Sequence, residues 1–161
     1  MLHSVYDTLR PYLQRRGLTL QLYLPEEPVV VQCDAERLQQ VVINLVENAM
    51  KYARDQGTVQ LALARHAEHV EFSVTDDGPG IVSEEFATLF EMFQRGRPVD
   101  LFNTPGFGVG LAVCRCIVEA HGGEVIPENR PGTGARFTVR LPLQSPSAGA
   151  NAAPPAQTVA Q

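Results

Sequence analysis

Leu2, Val5, Leu9 and Leu13 recur at three- and four-residue intervals and predict an amphipathic helix over 2–16. The period then changes. Residues 18–24 alternate apolar and polar as LTLQLYL and predict a strand. Pro25 and Pro28 bound a turn, and a second, shorter strand is expected over 29–32. Asp34 stands where an N-cap belongs, ahead of a long helix reaching about Arg54. Residues 58–65 and 70–75 both alternate across a short turn, which predicts a hairpin. Ser83, followed by Glu84 and Glu85, is expected to cap a short helix. Residues 94–107 hold Gly, Pro, Asn and Thr and read as a loop. Residues 109–121 are apolar and helical, with a stop at Gly122-Gly123. Strands follow near 124–127 and 135–142. This order predicts an α+β fold, one sheet with helices on one face.

The long helix carries two stripes. Leu38, Val41, Val42, Leu45, Ala49 and Tyr52 fall within ~100° of one another on a helical wheel and form the core face. Beside them run Asn44, Asn48 and Lys51. Asparagine is a poor helix former because its side chain competes for backbone hydrogen bonds. The stripe is either a hydrated helix edge or a set of neutral oxygen ligands and a cation beside a pocket, suited to magnesium and phosphate oxygens. Glu47 is expected to pair with Lys51 at i, i+4.

Three glycine clusters follow. Asp76-Asp77-Gly78-Pro79-Gly80-Ile81 comes straight after a strand, and Gly78 and Gly80 permit tight backbone and close ligand approach. It is a simple turn or a site where a carboxylate accepts from an exocyclic amine. Gly106-Phe107-Gly108-Val109-Gly110-Leu111 opens a helix, where free N–H groups can cradle phosphate. Its G-x-G-x-G spacing is neither the dinucleotide fingerprint nor a P-loop. Gly132-Thr133-Gly134 leads into the last strand and reads as a turn.

Composition adjusts this picture at its edges. Residues 144–161 carry no charge and almost no large apolar side chain, so they read as a disordered tail behind a folded 1–143. A net charge of −5 argues against a nucleic-acid binder. No apolar run is long enough to span a membrane, and no signal peptide precedes the first helix. Three cysteines, Cys33, Cys114 and Cys116, make no disulfide framework, and a cytoplasmic setting is expected. Cys114 and Cys116 point to opposite sides of one helix and are both expected to be buried. His66 and His69 flank the hairpin turn and are expected in solvent. His121 ends a helix, where a cation suits the dipole.

In order and spacing these pieces resemble the ATP-binding catalytic domain of bacterial sensor histidine kinases, part of the superfamily of DNA gyrase, Hsp90 and MutL. The resemblance covers roughly 5–142. The N box is similar to Asn44-Leu45-Val46-Glu47-Asn48-Ala49-Met50-Lys51-Tyr52, and the G1 box to Asp76 through Ile81. The F box resembles Leu89-Phe90-Glu91-Met92-Phe93-Gln94-Arg95-Gly96, the G2 box Gly106 through Leu111, and a G3-like turn sits at Gly132 to Gly134.

The resemblance implies a two-layer α/β sandwich of the Bergerat type. A mixed, mostly antiparallel sheet lies under three helices, with a flexible ATP lid over about 94–107 rooted on Phe90 and Phe93. It implies ATP and Mg2+ as cofactors. Asp76 would accept from the adenine amino group, with Gly78 and Gly80 beside it. Ile81, Leu111 and Phe137 would wall the adenine slot. Asn48 would hold magnesium, with Asn44 one turn away. Lys51, Tyr52 and Arg95 would contact phosphate, as would the backbone of Gly106, Gly108 and Gly110. Asp77 has no implied role.

ATP hydrolases and serine kinases of the superfamily usually carry Glu, a base, at the first N-box position, where this chain has Asn44. Activating water without a base is hard. A neutral imidazole already has a nucleophilic nitrogen, so a histidine acceptor fits better, with positioning and charge neutralisation by Asn44, Lys51, Arg95 and magnesium. The implied function is donation of the γ-phosphoryl group to a histidine on a dimerisation domain of a two-component sensor kinase, with a response regulator downstream. The alternatives are an ATP hydrolase or serine kinase of the same superfamily, or a regulatory module that binds nucleotide without transfer. His3, His66, His69 and His121 all lack the His-acidic-Arg-Pro context of the phosphoacceptor. The chain therefore reads as a monomeric catalytic domain cut from a longer kinase, itself in the cytoplasm or the cytoplasmic part of an inner-membrane sensor. It is expected to make no membrane contact and not to phosphorylate itself.

Overall fold

The computed structural model of the chain describes residues 1–86, 88–90, 110–130 and 134–143. Helix α1 spans Leu2–Arg15 and strand β1 Thr19–Tyr23. Helix α2 runs Ala35–Tyr52. The hairpin follows as β2, Thr58–Arg65, and β3, His69–Thr75. Helix α3 covers Gly110–Ala120, and β4, Glu124–Asn129, leads back to β5, Ala135–Pro142. The expected loop and lid over 94–107, with Phe93, and the expected tail over 144–161 lie outside the described residues.

Among the described residues, five strands form one sheet in the order β1-β2-β3-β5-β4. β1 runs parallel to β2, and the other pairings are antiparallel. All three helices pack on one face, α2 over β2 and β3, α1 toward β1, and α3 between α2 and β4. This is the mixed α+β sandwich that the periodicity and the resemblance lead one to expect.

The core explains why α2 sits centrally. Leu38, Val41, Val42 and Leu45 are buried as expected, and so are Val46 and Met50. Tyr52, assigned to the core face, is only half-buried. Neighbours on three sides widen the apolar face of α2 beyond the stripe of a helix lying on a sheet alone. Each such side chain contributes about 1.5–3 kcal/mol on burial. Asp34 caps α2, accepting the Arg37 N–H at 3.0 Å. α3 ends at Gly122, φ +72°, where the Gly122 and Gly123 N–H groups donate to Glu119 and Val118.

Several expectations are corrected. Residues 29–32 alternate, with Val29 and Val31 buried and Val30 56% exposed, yet form no strand. Val29 and Val31 face a small apolar cavity with Leu2, Leu38 and Phe72, so the alternation follows that cavity and not a ladder. Ser83 does not cap its helix. Ser83–Glu85 is one 3-10 turn begun by Val82, whose carbonyl accepts from Glu85 N–H. Glu47 and Lys51 form no ion pair. The Lys51 ammonium sits 5.0 Å from the centre of the Tyr52 ring instead. Cys114 is buried but Cys116 is exposed.

His121 is not a cation on the dipole of α3. Its Nε2 accepts the Asp34 N–H at 3.1 Å, so that nitrogen carries no proton, while Nδ1 donates to the Ile117 carbonyl at 2.7 Å. The ring joins the end of α3 to the start of α2.

Candidate functional site

The site begins where β3 runs out. Asp76 follows the last strand residue and is only 4% exposed. Its backbone N–H still pairs with the β5 carbonyl of Ala135 at 3.0 Å. Its Oδ1 accepts the N–H of Gly78 at 2.8 Å and of Ala135 at 3.3 Å, while Oδ2 receives neither. Burial pushes the Asp76 carboxyl above the usual aspartate range. The Gly78 and Ala135 hydrogen bonds pull the other way, and the charge of Asp77 adds to the rise. A carboxylate held against its desolvation cost is typical of a functional position.

Two glycines make room for it. Gly134 has φ +80°, and a Cβ there would meet Gly78 N at 2.5 Å and Asp76 Oδ1 at 2.6 Å. A Cβ on Gly78 would collide with the Tyr52 carbonyl, which brings the end of α2 against this loop. Asp77 has a different task. Its two oxygens accept the N–H groups of Arg54, 3.2 Å, and Thr58, 2.9 Å, so it ties the end of α2 to the start of β2. Adjacent aspartates thus divide into one facing the site and one holding the frame.

Sequence reasoning missed Asn129. Its Oδ1 accepts the Ile81 N–H and its Nδ2 donates to the Ile81 carbonyl, both at 2.7 Å. Gly80, at φ +82°, lies against the same side chain. One amide on the last residue of β4 therefore holds the loop that carries Gly80 and Ile81. No local pattern announces this, because the partners are 48 residues apart. Phe137 is buried on β5 between Val74 and Pro127 of the flanking strands.

The polar stripe of α2 faces the start of α3. Asn44 and Asn48 are half-buried and Lys51 is exposed. The Asn44 amide donates to the Gly110 carbonyl at 3.4 Å. Deeper between the two helices, burial pushes the Cys114 thiol up to about 12, so it is an inert packing group. Leu111 is half-buried against the core. The structure thus brings Asp76 and Gly78 together beside β5, holds Gly80 and Ile81 on Asn129, brings Asn44 to Gly110, and leaves Phe137 in the core. Among the described residues, Asn48 and Lys51 make no hydrogen bond or ion pair with the Asp76 loop. Arg95, Gly106, Gly108 and Gly132 lie outside the described residues.

The groups present can accept hydrogen bonds and offer neutral oxygen ligands. The buried carboxylate can accept from an amino group, and two half-buried carboxamides offer neutral oxygens.

Comparison with known proteins gives the family. Residues 33–145 match the family model described as histidine kinase-, DNA gyrase B- and HSP90-like ATPase. The chain is 40% identical over 126 residues to the sensor protein KdpD of Escherichia coli, covering 78% of this chain and 14% of that protein. It is 43% identical over 130 residues to the adaptive-response sensory kinase SasA of Parasynechococcus marenigrum, covering 80% of this chain and 33% of the other. The chain therefore spans a third or less of the length of these relatives. Among solved structures, the catalytic domain of histidine kinase ThkA superposes with a TM-score of 0.75 at 28% identity, covering 88% of this chain and 90% of that one. Full-length ShkA in complex with AMPPNP superposes with a TM-score of 0.75 at 30% identity, covering 91% of this chain and 30% of ShkA. ThkA in complex with the response regulator TrrA superposes with a TM-score of 0.73 at 28% identity, covering 89% of this chain and 39% of that one.

Proposed function

Since the chain belongs to the histidine kinase-, DNA gyrase B- and HSP90-like ATPase family and is an ATP-binding catalytic domain of the histidine kinase type, we propose that it donates the γ-phosphoryl group of magnesium-bound ATP to a histidine on a separate dimerisation domain. The observation that carries this reading is Asp76, a buried carboxylate fixed by two backbone N–H groups at a strand end where Gly78 and Gly134 let the backbone close around it. Its second oxygen would accept the adenine amino group. Ile81, held by Asn129, and Phe137 with Leu111 would wall the base.

Asn48 would hold Mg2+, with Asn44 one turn away near the phosphates, and the ion would neutralise charge on the phosphate oxygens. Lys51 would supply a phosphate contact from the same helix, with Tyr52 beside it. Arg95, Gly106 and Gly108 join on the sequence pattern alone. Transfer would rest on alignment and electrostatics, not on a protein base. Asn44 agrees with that, since its amide donates to Gly110 and has no basic group to offer water. This disfavours the hydrolase and serine-kinase readings. AMPPNP on ShkA and TrrA on ThkA support nucleotide and a response regulator as this chain's ligand and downstream partner.

Titration calorimetry with and without magnesium tests the reading. Wild-type chain should bind ATP saturably and more tightly with the ion. Asp76→Asn should lose about 1.5–3 kcal/mol, roughly ten- to a hundredfold, through loss of a hydrogen bond to a charged acceptor. No binding at millimolar ATP would leave a module without nucleotide function. With γ-labelled ATP the chain alone should stay unlabelled, and a dimerisation domain added in trans should take the label.

A further inference from the structure

The end of the β2–β3 hairpin holds a cluster that nucleotide chemistry does not use. Its turn is closed by the His66 N–H donating to the His69 carbonyl at 2.9 Å. The two imidazoles stack across the turn, with ring centroids 4.4 Å apart and planes 16° from parallel. Glu71 lies two residues along β3 from His69, hence on the same face of the strand. Both Nε2 atoms meet its carboxylate, His69 at 3.3 Å from Oε1 and His66 at 3.4 Å from Oε2. One potential ligand atom from each of the three residues lies within 4.8 Å of the other two.

We propose that His66, His69 and Glu71 form a binding site for a divalent transition-metal ion of the zinc class, separate from the nucleotide site. Tetrahedral zinc with bonds of about 2.0–2.2 Å sets its ligand atoms roughly 3.3 Å apart. The His66 Nε2 to Oε2 distance already matches that spacing, while His69 Nε2 lies as near to the other oxygen, Oε1. The ligand atoms lie within 4.8 Å of one another, so a small tilt of the His69 ring toward Oε2 and His66, on an exposed turn, completes the convergence. Two imidazoles and one carboxylate suit zinc or copper better than magnesium or calcium, which take all-oxygen sets. Water would complete the shell, because His66 is 45% exposed.

The carboxylate is prepared for this role. Arg140, paired with Glu71 across β5, donates from Nε to Oε1 at 2.9 Å, and its other arm reaches Glu124 at 2.7 Å. That leaves Oε2, the oxygen nearest His66, for the ion. Partial burial pushes Glu71 up, but the Arg140 hydrogen bond and charge, with His66 and His69, hold it below the usual glutamate range. Arg140 orients the ligand as outer-shell partners do at metal sites, while its positive charge limits the affinity.

The test is zinc alone, without nucleotide, competed against a chromophoric chelator. The exposed Cys116 thiol is removed beforehand as Cys116→Ser. The expected result is one zinc per chain and a rise in Tm on zinc addition. His66→Ala, His69→Ala and Glu71→Gln should each weaken binding about tenfold or more and abolish the Tm rise. Cobalt in place of zinc should show d–d bands without a thiolate charge-transfer band. ATP binding should be unchanged in all three variants, and circular dichroism in chelator should confirm their fold. Absence of stoichiometric zinc binding overturns the proposal. So does unchanged affinity in the His66→Ala/His69→Ala double variant, or a thiolate band in the cobalt form.

Discussion

Asp76, in the proposed role, would serve a site at the expense of its own fold. Its carboxyl titrates above the ordinary aspartate value of 3.8, chiefly because burial opposes the charge. The folded state therefore holds the proton to higher pH than the unfolded chain does. The contribution of this group to stability is most favourable below 3.8 and falls as pH rises through the raised folded value. Asp76→Asn keeps an oxygen for the Gly78 and Ala135 N–H groups while removing the charge. The variant should equal or exceed wild type in stability at pH 7, with the difference shrinking as pH falls toward 4. Urea melts of both proteins across that range would check it. A gain in stability alongside a loss of ATP binding is the trade-off expected where function requires a buried charge. Gly134 belongs to the same arrangement, since its φ of +80° and the crowding at its Cβ position tolerate no side chain beside Asp76.

At the scale of elements, Asp77 does for the frame what Asp76 does for the site. Its carboxylate gathers the N–H groups of Arg54 and Thr58 where helix α2 hands over to strand β2. Asp77→Ala would orphan both donors and should cost about 2 kcal/mol. For a domain of this size that lowers Tm by roughly 4–8 °C. ATP affinity measured below the transition should change far less than in Asp76→Asn. The elements themselves were largely legible from periodicity, because α2, β2 and β3 each bury one face and announce it. Asp34 was legible as a cap because its role is local. Three of the departures share a cause. Residues 29–32, His121 and Asn129 take their structure from partners far along the chain, respectively a shared cavity, the Asp34 N–H and the Ile81 backbone. Nothing within a few residues of them encodes those contacts. The same holds for the pairing of Asp76 with Ala135, 59 residues away, which makes a D-G-P-G turn into the floor of a site.

For the whole molecule, the placement of β5 matters most. It is the last strand among the described residues, yet it lies inside the sheet, with β3 on one side and β4 on the other. Every backbone hydrogen bond that β3 makes on its second edge goes to β5, and so does one of the two that fix the Asp76 carboxylate. Such long-range pairing comes late and slowly in folding, because loop closure precedes its reward. A polypeptide leaving the ribosome can form α1, α2 and the β2–β3 hairpin well before residues 135–142 emerge, but not the completed sheet. A version shortened before Ala135 should keep helical signal in circular dichroism, show no cooperative melt and bind no ATP. On the proposed reading, nucleotide competence would be timed to the end of synthesis of this domain: until β5 slots between β3 and β4, the carboxylate of Asp76 lacks one of the two N–H groups that fix it.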